Sequence, residues 1–158
     1  MNVTLRPARS TDAGKIGDIL HRFNTDAEWM PDLHTGAETI AFCGKMIDRG
    51  WVTIAEADGR VAGFLARDKG EICALYLNPG VVGQGIGVLL LNSAKAESET
   101  LTLRTFEENR GAQKFYLREG FVETGRSAGE SNDENLSDVA YIWRKEKEKT
   151  NDTGPGSD

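Results

Sequence analysis

No run of about 18 apolar residues occurs in this chain, so no membrane span is expected. The first residues, MNVTLRPARSTD, lack the apolar core of a signal peptide, and a cytoplasmic location is expected. Cysteine is scarce. Cys43 and Cys73 form neither a disulfide framework nor a metal-ligand spacing, so no metal is expected. Basic charge is in deficit: 19 Lys and Arg against 25 Asp and Glu leave a net charge of −6, which argues against nucleic acid or an anionic membrane as a partner. Gly-Lys-Ser/Thr is missing, which excludes a P-loop.

What remains is ordinary in bulk and suits one compact domain. Of the 158 residues, 39% are hydrophobic and 28% charged. Val3 to Arg6 reads as a strand stopped by Pro7. Ser10 or Thr11 is placed to cap a helix carrying Ile16, Ile19, Leu20 and Phe23. Thr35-Gly36-Ala37-Glu38 has capping-box spacing and opens a second helix to about Arg49. Three strands then run as a meander: Trp51 to Ala57, Val61 to Ala66 after an Asp58-Gly59 turn, and Ile72 to Leu77. A glycine-rich turn leads into a helix ending near Glu99. Leu101 to Thr105 is a strand, Asn109 to Glu119 a helix closed by Gly120, and two strands follow at 121–124 and 139–143. The order β-α-α-β-β-β-α-β-α-β-β is mixed, an α+β class that fits neither a TIM barrel nor a doubly wound sheet. The domain is expected over 1–144, with a polar tail over 145–158 that reads as disordered.

The glycine turn carries the chemistry. Val82-Gly83-Gln84-Gly85-Ile86-Gly87-Val88 puts three glycines in five residues at the mouth of an apolar helix. The first N–H groups of a helix have no helical partner, and the helix dipole adds positive charge there. Glycines let a diphosphate approach those N–H groups closely. A dinucleotide-binding turn fits poorly. Val88 or Leu90 stands where G-x-G-x-x-G needs its last glycine, and Thr105 stands near where an acidic residue should end the next strand. A nicotinamide oxidoreductase is therefore disfavoured.

The sequence resembles the GCN5-related N-acetyltransferase family over roughly residues 3 to 144. Leu75-Tyr76-Leu77-Asn78-Pro79, then Val82 to Gly87, then Leu89-Leu90 match its Arg/Gln-x-x-Gly-x-Gly/Ala signature with the preceding strand. Asn109, Ala112, Phe115, Tyr116, Gly120 and Phe121 match its second signature at the expected spacing. Val82 departs from the usual Arg or Gln. The resemblance implies a central, mostly antiparallel mixed sheet flanked by helices, and acetyl-CoA as co-substrate without a metal. It implies that Leu75, Tyr76 and Leu77 hold the pantetheine arm and acetyl carbonyl, on a strand splayed from its neighbour. Val82, Gly83, Gln84, Gly85, Ile86, Gly87 and Val88 would take the diphosphate. Asn109, Ala112, Phe115 and Tyr116 would complete the cofactor side, with Tyr116 protonating the leaving thiolate. The implied activity is acetyl transfer to a primary amine, of a small cationic molecule or of a protein or peptide. The contrasting class on the same scaffold is a non-catalytic acyl-CoA-binding sensor. A homodimer is open as an assembly.

The acceptor side is less legible. His34 has a suitable intrinsic pKa for a base, and Glu28, Asp32 and Glu71 are the carboxylate candidates. Trp29 and Met30 are expected to wall the acceptor pocket, so the acceptor residues are Glu28, Trp29, Asp32 and His34. No Lys or Arg lies between Arg22 and Lys45, nor in the stretch SAGESNDENLSD at 127–138. These two acidic loops are expected to flank the acceptor groove and to attract a cation. Arg110, Lys114 and Arg118 fall on one helix face, where they could meet the nucleotide end or be a solvated stripe.

Overall fold

The computed structural model describes residues 1–130 and 132–146. The tail reading, beyond Glu146, lies outside the described residues. One seven-stranded sheet runs through the described molecule in the order β1-β2-β3-β4-β5-β7-β6. Its strands are β1 (Val3–Pro7), β2 (Val52–Ala57), β3 (Arg60–Asp68), β4 (Glu71–Leu77), β5 (Thr100–Phe106), β6 (Val122–Ser127) and β7 (Asp138–Arg144). Its helices are α1 (Ala13–Asp26), α2 (Gly36–Asp48), α3 (Ile86–Ala96) and α4 (Arg110–Arg118). Every neighbouring pair of strands is antiparallel except β4 and β5. The expected α+β class and element order therefore hold.

Helices cover both faces. Ile16, Ile19 and Leu20 of α1 and Cys43 and Met46 of α2 pack on Ile54, Phe64 and Ala66. Ile86, Leu90, Leu91 and Ala94 of α3 pack on the opposite face with Leu65, Leu101, Leu103 and Val139. Phe64 and Leu65 are adjacent yet belong to different cores, as period-two alternation requires. That is why β3 is buried continuously from Ala62 to Ala66 while β5 is buried only at alternate residues.

Local chemistry explains the element ends. Thr35 Oγ1 accepts from the Glu38 N–H at 3.1 Å, and Glu38 Oε1 accepts from the Thr35 N–H at 2.9 Å. This is the expected capping box. The start of α1 differs from expectation. Ser10 and Thr11 do not cap it; they lie in a 3₁₀ turn, Ser10–Asp12. Asp12 instead accepts from the Arg9 N–H at 2.7 Å and from the Arg6 guanidinium at 2.8 and 3.0 Å. A part-buried charge pair with β1 replaces the hydroxyl cap, because the turn aims the Asp12 carboxylate back at the strand. Arg6, first, and the Arg9 backbone hold the Asp12 carboxyl down at about 2, against burial, from an ordinary 3.8. The third helix stops at Ala96, short of Glu99.

Candidate active site

The parallel pair β4–β5 is barely a pair. Its register contains only Glu71↔Thr102, and beyond it the two strands diverge. On its other side β4 stays paired with β3, from Gly63↔Leu77 to Asp68↔Glu71, with one bulge that skips Cys73. Residues Leu75, Tyr76 and Leu77 therefore present a backbone edge toward a gap that β5 does not fill.

The glycine turn sits at the end of that edge. A 3₁₀ turn over Pro79–Val81 leads to it, with Asn78 Oδ1 accepting from the Gly80 N–H at 3.2 Å. Gly83 has φ +86° and Gly85 φ +82°, a left-handed conformation that favours glycine. A Cβ built at either would meet nothing within 4 Å, so both face open space. The first bond of α3 that reaches this turn runs from the Leu89 N–H to the Gly85 carbonyl. No hydrogen bond among the described residues consumes the N–H groups of residues 83 to 88. These groups lie at the end of α3 where the helix dipole is positive. Val82 is exposed and Ile86 buried.

Helix α4 abuts this turn. A Cβ at Gly87 would lie 3.5 Å from Phe115 Cζ, so the two sequence signatures meet in space. The Asn109 side chain is spent within its own helix, accepting from the Ala112 N–H at 3.1 Å. Tyr116 is buried, its ring edge-on to Phe115 and Phe121 and tilted on Tyr141. Burial raises its phenol well above the usual range and keeps it protonated. Arg110, Lys114 and Arg118 are exposed, and Arg118 stacks over Phe115.

Aromatic rings bridge the diverging strands on the other face. Tyr76 of β4 touches Phe23 of α1, Phe23 touches Trp29, and Trp29 touches Phe106 at the end of β5, with centroids 5.0, 6.1 and 5.8 Å apart. Trp29 also lines an open cleft of about 430 Å³ with Phe23, Asn109 and Arg110. Beside this bridge lies a smaller cavity of about 180 Å³, walled by His21, Met30, Asp32, His34 and Glu134 among others. Burial first, then the charge of Glu134, pushes the Tyr76 phenol up to about 12.

Of the acceptor residues read from sequence, Asp32 and His34 come together in the smaller cavity and Trp29 in the wider cleft. Glu28 is exposed and lines neither. Glu71 is exposed at the far, paired end of β4. His21, Asn24 and Thr25 were not anticipated. Their spacing on one face of α1 was the available signal, but nothing in the sequence said which loop would close over that face. Among the described residues, no group of His, Cys, Asp or Glu is arranged to hold a metal ion.

Known proteins resemble this chain in part of its sequence and in its fold. Residues 48–123 match the model of the acetyltransferase (GNAT) domain. The chain is 39% identical over 77 residues to a peptidyl-lysine N-acetyltransferase, YjaB, of Salmonella typhimurium, an alignment covering 49% of this chain and 52% of the relative. The chain thus spans about half the length of the curated relatives it matches. The fold extends further. The solution structure of apo-form YjaB from Escherichia coli superposes with a TM-score of 0.76 at 23% identity, over 90% of this chain and 98% of that one. The structure of yncA from Salmonella typhimurium with its cofactor acetyl-CoA superposes with a TM-score of 0.72 at 17% identity, over 97% and 99%.

Proposed function

We propose that this protein is an acetyl-CoA-dependent N-acetyltransferase whose acceptor is the side-chain amine of a lysine in a peptide or protein. The observation that carries the reading is the run of N–H groups at 83–88 with no hydrogen-bond acceptor in reach among the described residues, in the turn that follows the unpaired edge of β4. A diphosphate fits that run on charge and on space, since Gly83 and Gly85 face open space. The bound thioester would supply an activated acetyl group. The free edge of Leu75, Tyr76 and Leu77 would orient the thioester arm and its carbonyl. Tyr116, kept neutral by burial, would hold the proton that the departing sulfur needs. Lysine as acceptor rests on the similarity to peptidyl-lysine N-acetyltransferases over half the chain and on the acidic cavity of Asp32 and Glu134. His34, in that cavity, is the candidate to accept the amine proton.

The test is thiol release from acetyl-CoA across a panel containing a blocked peptide with one internal lysine, spermidine, an aminoglycoside and glutamate. The lysine peptide should turn over best and glutamate worst. The kcat/KM of the peptide should fall as salt rises from 0.1 to 1 M, over which the Debye length shrinks from about 10 to about 3 Å. Tight coenzyme A binding without turnover on any amine would replace the enzyme by an acyl-CoA-binding sensor. A best substrate of net negative charge would overturn the lysine assignment.

A further inference from the structure

The connection between β6 and β7 folds around one buried carboxylate. Asp138, 4% exposed, opens β7, where it is paired with Phe106 at the end of β5 and with Ser127 at the end of β6. Its Oδ1 accepts from Arg104 Nη1 and from the Ser127 hydroxyl, each at 2.8 Å. Its Oδ2 accepts from Asn132 Nδ2 at 3.3 Å. Asn132 in turn clamps the loop, donating to the Leu136 carbonyl at 2.8 Å and accepting from the Leu136 N–H at 3.1 Å. Gly129, buried with φ +94°, passes so close that a Cβ there would lie 2.7 Å from the Leu136 carbonyl oxygen.

This arrangement separates the acids of the loop. Glu130 Oε1 accepts from the Ala128 N–H at 3.0 Å and so serves the turn itself. Asp133 is exposed. Glu134 is half-buried and reaches the small cavity, facing Met30, Asp32 and His34 from across the cleft. Without a fixed loop, a carboxylate four residues before Asp138 would sample solvent rather than the cavity.

We infer that Asp138 is a positioning residue: through Ser127 and Asn132 it holds the loop so that Glu134, and not its acidic neighbours, binds the cationic acceptor. This rests on the acetyltransferase reading for its choice of acceptor. The measurement uses the full chain and the blocked single-lysine peptide. Glu134→Gln should raise the peptide KM about tenfold, the scale of one lost charge-assisted hydrogen bond, with kcat changed less than twofold. Asp138→Asn should do the same while leaving coenzyme A affinity unchanged. The double variant should be no worse than Glu134→Gln alone, because the two act through one contact. Hydrogen exchange at the amides of Asn132, Asn135 and Leu136 should quicken about tenfold in Asp138→Asn, with β5 amides unchanged. If Asp138→Asn does not fold, Asn132→Ala removes the clamp without touching the sheet and should reproduce both effects.

A lowered melting temperature with unchanged peptide KM, or additive effects in the double variant, would show Asp138 to be a structural carboxylate only. Failure of the wild-type protein to acetylate the peptide is a different result. It removes the reaction, and the inference is then decided by calorimetry. Peptide binding to the coenzyme A complex weakened by both variants upholds it, and binding indifferent to them overturns it.

Discussion

The two sides of the cleft are made differently. The side at the glycine turn is built from main-chain groups: the free edge of β4 and the N–H groups of residues 83 to 88. The side at the small cavity is built from side chains on α1, on the α1–α2 loop and on the β6–β7 loop. The first is held by strand pairing with β3 and by the packing of α3 on the core. The second depends on a few polar clamps at the roots of loops, of which Asp12 and Asp138 are the buried ones. Main-chain recognition tolerates many side chains but few backbone changes. Side-chain recognition has the opposite sensitivity.

Three changes would break or sharpen this contrast. The largest effect is expected at Tyr116, which lies against the main-chain side and is proposed as a side-chain proton donor. Tyr116→Phe keeps the buried ring cluster and should lower kcat by roughly 10²–10⁴-fold with coenzyme A affinity unchanged. A kcat within twofold of wild type would make Tyr116 a packing residue. Next comes the turn itself. Gly85→Asp puts a side chain at φ +82° and a negative charge beside the free donors. Coenzyme A affinity by calorimetry should fall by roughly 100-fold or more, about 2.7 kcal/mol, while circular dichroism reports an intact fold. Unchanged affinity would remove the diphosphate from this turn.

The smallest effect belongs to the root of α1. The folded-state carboxyl of Asp12 lies near 2, below its ordinary 3.8, chiefly through Arg6. A depressed carboxyl contributes stability above its unfolded value and loses it as pH falls. Asp12→Asn should therefore cost about 1–2 kcal/mol at pH 6, after allowance for solvent screening. The difference from wild type should close between about pH 4 and pH 2. Urea unfolding across that range measures it. A difference constant with pH would mean that the carboxylate charge is not what anchors the helix. The same variant should alter the peptide KM more than coenzyme A affinity, since α1 carries His21 and Asn24 to the cavity and no part of the turn.

Much of the main-chain side was legible in one dimension. Gly83 and Gly85 at the mouth of an apolar helix permit a left-handed turn through local backbone physics alone. Period-two and helical spacing likewise identify the eleven main elements, because each reflects which face a residue must bury. Capping was legible at Thr35, where donor and acceptor lie three residues apart. It was misplaced at α1, where the partner of Asp12 is Arg6 on a strand, brought near only by folding.

The side-chain wall was legible only as a sum of charge. The acidic loops could be counted, but Glu28, Glu130 and Glu134 look alike as residues. Their fates diverge in the fold, one in solvent, one in a turn and one at the cavity. By itself the sequence determined the order of elements, the faces they bury and the glycine turn at the mouth of α3, since these follow from interactions a few residues long. The divergence of β4 from β5, the ring bridge from Tyr76 to Phe106 and the meeting of Glu134 with Asp32 and His34 were decided only by the tertiary structure. Each joins segments tens of residues apart, and sheet order and loop closure set those distances.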